Sequence, residues 1–193
     1  MTTKTTKQLS IAAVTVAMLS MMTVPVFASH GTGGLNWSTG QQKFYCESGL
    51  SNLDLTAAVD PACDDITTGA AAWTNLSDPS WAITKHTSNA INQKAVNMGA
   101  NGLLGEMVPT DIFGTIITAY IKYNTEKAFG DVSVDSNVYD WPTVAKHEIG
   151  HLPTIFHNAH SESNSVMQNG LGLNTAWSTI TSNDEAAVEA KYP

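Results

Sequence analysis

Ile117, Ala119, Ile121 and Tyr123 alternate with polar neighbours between Thr115 and Asn124, the period-two pattern of a strand with one buried face. This is the strongest strand signal in the chain. Shorter stretches of the same kind predict strands at Lys43 to Cys46, Trp81 to Thr84 and Ile91 to Met98. Leu103 to Val108 is an apolar run closed by Pro109, a residue confined to strand edges and ends. One helix is expected among these strands, where Pro61 precedes Ile66, Ala70 and Trp73 at helical spacing. After a polar, acidic loop from Gly130 to Asn137 the period changes. Pro142 sits as a first-turn proline, and Val144, Ala145, Glu148, His151 and Leu152 recur on a 3.6-residue period until Pro153 ends the helix. Gly170 to Thr175 reads as a loop, and Ser182 with Glu185 forms a capping-box pattern for a short final helix through Ala187 and Ala190.

The chain has 193 residues, enough for one domain that buries roughly 70% of its extended surface. Its first 28 residues are set apart from that domain. Lys4 and Lys7 precede an apolar run from Leu9 to Phe27 that ends in the small residue Ala28, which reads as a signal peptide with a mature domain spanning 29–193. A membrane anchor is the alternative, against which stand Pro25 and the Ser and Thr residues of the run. Cleavage removes two of the nine basic residues and none of the seventeen acidic ones, taking the net charge from −8 to −10. Nucleic acid and anionic membranes both require a basic footprint, so neither is an expected partner. Cys46 and Cys63 are the two cysteines, and an even count in an exported chain reads as one disulfide, with free thiols as the alternative.

Chemistry concentrates between His147 and His157, in the stretch HEIGHLPTIFH. His147 and His151 are four residues apart and share a helix face, so their imidazoles can reach one ion. Glu148 stands beside them as a general base, and the chain must reverse before His157 completes a three-nitrogen site. Three neutral imidazoles leave a fourth tetrahedral position open for water, which points to one catalytic zinc ion. Four of the six histidines lie between His147 and His160, a concentration that metal binding explains. His30 and His86 read as exposed residues, and His160 as a residue just outside the ligand set, either supporting it or exposed.

The sequence HEIGHLPTIFH, with Ser165, Val166 and Met167 beyond it, resembles the metzincin zinc endopeptidases and among them the matrixins, whose signature is HExxHxxGxxH followed by a methionine turn. That resemblance implies an α+β, zincin-like single domain: a twisted, mostly parallel sheet with an antiparallel edge strand, an active-site helix and a short C-terminal helix. It implies a secreted, monomeric endopeptidase in which Met167 underlies the metal. An extended peptide substrate would lie on the edge strand at Leu103, Leu104, Gly105 and Glu106, with Gln168 and Asn169 beginning a pocket wall that runs to Leu173. An impaired relative of the same fold, binding metal or peptide without turnover, is the alternative. No cysteine-switch segment is present, and Asn169 stands where related families place a tyrosine. Asp131 and Asp135 are calcium candidates in a loop that otherwise reads as solvated. The departure of most consequence is Thr154, which occupies the glycine position of the signature. The expectation is that Pro153 and Thr154 form a type I turn that needs no positive φ.

Overall fold

A computed structural model describes residues 34–54, 61–76, 80–88, 90–157 and 164–193. The expected signal peptide, His30 and His160 lie outside them. The chain folds as a mixed α/β layer structure whose main sheet is mostly parallel. Its strands are β1 (Asn36–Trp37), β2 (Gln41–Cys46), β3 (Ala82–Lys85), β4 (Ile91–Val96), β5 (Gly105–Ile112) and β6 (Thr115–Asn124). Pairing runs β1-β6-β4-β2-β3, all parallel, and β5 adds to the other side of β6 as the single antiparallel strand of the sheet. A second, two-stranded ladder joins β7 (Phe129–Gly130) to β8 (Tyr139–Asp140).

Helices cover one face of the sheet. Helix α1 (Pro61–Thr74) buries Ala62, Ile66, Ala70 and Trp73 on its apolar stripe, and α2 (Trp141–Gly150) packs across it. The crossing is close because Gly69 of α1 meets the Lys146 backbone, where an added Cβ would stand 3.0 Å from Lys146 Cα. Trp73 secures it by donating from Nε1 to Lys146 O at 2.8 Å. The expected disulfide is present: Cys46 at the end of β2 is bonded to Cys63 in the first turn of α1. Helix α3 (Ser182–Glu189) closes the chain, capped by Thr181 and Asp184 rather than by Ser182 and Glu185. The box is shifted by one residue because aspartate fills the position where the usual pattern has Glu or Gln.

Two features of the β5–β6 hairpin depart from the expected pattern. The strand starts at Gly105, two residues later than expected, and runs through Pro109, which pairs with Ala119. A proline survives there because β5 is an edge strand with one side free of partners. Opposite it, the pairing passes from Thr110↔Thr118 to Asp111↔Ile116, so Ile117 is an extra residue in a β-bulge. The bulge reverses the alternation: Ile116 is buried and Ile117 is exposed.

Candidate metal centre

Helix α2 begins on a well-made cap. Asp140 accepts from Thr143 N at 3.0 Å, and Pro142 follows in the first turn, where no amide partner is required. Eight of its ten residues are buried, including His147 and Glu148, so the helix carries its polar chemistry into the interior. His151 caps the C-terminus, and the last bonds tighten to His151 N→Glu148 O and Leu152 N→Ile149 O. Pro153 cannot extend the helix.

The chain then reverses at Thr154, but not through the expected type I turn. Thr154 has φ +64°, in the left-handed region, and its amide donates back to His151 O at 2.9 Å. The geometry that glycine supplies freely is thus adopted by a β-branched residue, at a cost of about 1–2 kcal/mol. Proline fixes its own φ but leaves the next residue to make the reversal. Thr154 is 1% exposed, and its hydroxyl lacks a hydrogen bond of ordinary geometry. The reversal still succeeds, because His157 returns to the two helical histidines.

His147 Nε2 lies 3.1 Å from His151 Nε2 and 3.1 Å from His157 Nε2. Three nitrogens bound at about 2.05 Å to one tetrahedral ion would stand about 3.3 Å apart, so the spacing suits a shared metal. The outer nitrogens fix which tautomer is present. His147 Nδ1 donates to Val166 O at 2.6 Å, and His151 Nδ1 donates to Ile155 O at 2.9 Å, leaving both Nε2 atoms as acceptors. Two acceptors facing each other at 3.1 Å repel unless a cation lies between them. Burial drives the His147 pKa well below the ordinary imidazole value and takes His151 to about 3 and His157 to about 4. All three rings are therefore neutral ligands at physiological pH. Among the described residues, this is the group of His, Cys, Asp or Glu side chains whose donor atoms converge as a metal site.

Glu148 adjoins the site from the same helix. Its carboxylate is fully buried, and neither oxygen has a hydrogen-bond partner. Burial, reinforced by the nearby Glu106, raises its pKa well above the usual carboxylate range; the Met107 amide pulls the other way without reaching hydrogen-bond geometry. Gly105 leaves room for it, since a Cβ there would stand 2.6 Å from Glu148 Oε1. A buried carboxylate without partners calls for a bound group such as a cation or a water molecule.

The remaining expected residues fall around this centre. Met167 is fully buried in a tight turn, and a Cβ on Gly150 would meet its sulfur at 2.5 Å, so the turn lies directly against the end of α2. Ser165 starts the turn by accepting from Met167 N and donating to Asp184 of α3 at 2.9 Å. Gln168 is half-buried and Asn169 exposed just beyond. Leu103 and Leu104 stand before β5, their carbonyls accepting from the side chain and amide of Asn124, and Leu104 is committed to the core. Glu106 pairs with Lys122 across the hairpin. Asp131 accepts from Ser133 N and Asp135 from Ser136 N, so each caps its own turn. Sequence reasoning missed Val166 and Ile155, which act through backbone carbonyls, and Asp184, whose only signal was its place in the capping box. No helix among the described residues is long and apolar enough to cross a membrane. No protein-family model matches the chain, and no curated protein matches it either.

Proposed function

We propose that this chain is a secreted zinc endopeptidase of the metzincin, matrixin-like kind, acting on extended polypeptides. The observation that carries the reading is the convergence of three neutral imidazole nitrogens beside a buried carboxylate that has no partner of its own. His147, His151 and His157 would hold the ion. Bound there, zinc lowers the pKa of a coordinated water and polarises the carbonyl to be cleaved. Positive charge beside Glu148 favours its ionised form and offsets the rise caused by burial. Glu148 is then the group that takes a proton from water and later delivers it to the leaving amine.

The edge strand supports a polypeptide substrate. Asn124 N donates to Leu104 O, and antiparallel alternation from that bond turns the N–H and C=O of Gly105 and Met107 away from β6. This unpaired edge is where an added strand would bind; Gly105 and Met107 are buried against Glu148, and the edge is exposed from Thr110 to Ile112. The disulfide accords with an oxidising compartment.

The test is metal stoichiometry together with cleavage of a reduced, unfolded protein by the wild type and by Glu148→Ala. One zinc per chain and chelator-sensitive cleavage that Glu148→Ala abolishes are expected. A wild type that binds one zinc but cleaves no faster than Glu148→Ala would leave a metal-binding domain without peptidase activity.

A further inference from the structure

The turn that returns His157 to the metal site is gripped by residues remote in sequence. Trp37 of β1 donates from its indole Nε1 to Leu152 O at 2.7 Å, just before the left-handed residue. Its backbone amide donates to the Tyr192 hydroxyl at 3.3 Å, so the same residue joins the turn to the end of the chain. Tyr192 is itself fixed: it is 7% exposed, and its ring packs on Trp81 with centroids 4.9 Å apart. Burial raises the Tyr192 pKa, while the Trp37 amide and the Thr154 hydroxyl lower it.

Within the turn little offsets the strain of the observed conformation. Thr154 is β-branched at φ +64°, Pro153 has no amide to donate, and the internal bonds are Thr154 N→His151 O and His151 Nδ1→Ile155 O. Yet Ile155 O must stand where it orients His151, and His157 must reach His147 within 3.1 Å. Both depend on that one residue's backbone.

We propose that Trp37 and Tyr192 are positioning residues that hold Leu152 to Thr154 in the left-handed turn, and so set His157 on the metal in a chain that lacks glycine there. β1 thereby has a role beyond completing the sheet. The inference rests on the three-histidine metal site and does not require peptidase activity.

The test uses Trp37→Phe and Tyr192→Phe, each made with Thr154 and again with Thr154→Gly. Zinc affinity is read by chelator competition, coordination geometry by the visible absorption of the cobalt-substituted protein, and apo stability by thermal denaturation. With Thr154 present, each variant should loosen zinc about threefold to tenfold, the range expected for loss of one such hydrogen bond. Its cobalt spectrum should also shift from the tetrahedral form. With Thr154→Gly the same changes should cost less than about twofold, because a glycine turn needs no external hold. Equal losses in both backgrounds, or no loss in either, overturn the proposal and leave Trp37 and Tyr192 as ordinary packing residues. If Trp37→Phe does not fold, Tyr192→Phe decides. A wild type that binds no metal overturns the site itself, whereas zinc binding without cleavage leaves this inference standing.

Discussion

Replacing Thr154 by glycine isolates the physics of the turn, and its effect can be worked from four contributions. Relief of a β-branched residue from φ +64° stabilises by about 1.5 kcal/mol. Removing a buried hydroxyl that lacks a hydrogen bond of ordinary geometry contributes about 1 kcal/mol more. Against these, the freer unfolded chain at glycine costs about 0.8 kcal/mol. Loss of the buried methyl costs about 1 kcal/mol. The net is a gain of about 0.7 kcal/mol, or roughly 2 °C in Tm for a domain of this size.

Thermal denaturation of the metal-free protein, with a chelator present, measures that gain directly. Zinc affinity should be unchanged or tighter by about threefold, since the turn already delivers His157 and glycine only removes the strain of doing so. A fall in Tm of more than about 3 °C would refute the reasoning, because it would mean that the threonine side chain supplies more than its backbone withholds. Weaker zinc binding in the glycine variant would refute it from the other side. It would show that His157 does not depend on a left-handed residue at 154.

Four other perturbations test the surrounding structure. Gly105→Ala places a methyl 2.6 Å from Glu148 Oε1 and should lower kcat about 100-fold while zinc affinity holds within about threefold; joint loss of both would contradict a role confined to Glu148. The three histidines have folded pKa values below their unfolded value, so the unfolded chain binds more protons and apo stability is lost as pH falls from about 6.5 towards 4. An apo Tm that rises on acidification through that window would count against neutral buried rings. Asp65 moves the other way: burial and then Asp54, Asp140 and other aspartates raise its pKa to about 6, so it destabilises at neutral pH and ceases to do so as pH falls through 6 to 4. Asp65→Asn should gain about 1 kcal/mol at pH 7.5, discounted for its partial exposure, and nothing at pH 4, as read from denaturation at both values. Replacing Cys46 and Cys63 by serine opens a loop of 17 residues and should cost about 3 kcal/mol, measured by denaturant unfolding.

What could be read in the sequence was whatever is set by neighbours a few residues away. The 3.6-residue period from Val144 to Leu152 placed α2, and with it the shared face of His147 and His151. Alternation placed β6, whereas the edge position of β5 followed from the family resemblance alone, and the strand runs on past the Pro109 that closes its apolar run. Alternation failed at Ile117 because a bulge is a property of two paired strands and leaves no trace in one of them. The capping box was misplaced by one residue because aspartate stands where the pattern has Glu or Gln, and Asp184 has a second role, accepting from Ser165 of the turn before Met167. A local pattern could not reveal the second.

Thr154 shows most sharply where local reasoning ends. From sequence, a threonine in place of glycine implied either a different turn or a lost ligand, since a β-branched residue is strained at positive φ. The chain instead keeps the turn and the ligand together. The groups that make this possible are an indole 115 residues upstream of Leu152 and a phenol from the penultimate residue, joined to each other across 155 residues of chain. Such contacts form only once β1 has docked on β6 and the C-terminal segment has packed on Trp81. Conformational freedom at one position has been exchanged for tertiary contacts at two others, which makes the metal site conditional on completion of the fold. Zinc should therefore bind late, after both ends of the domain are in place, whereas a glycine at 154 would let the three histidines assemble from α2 and its own turn.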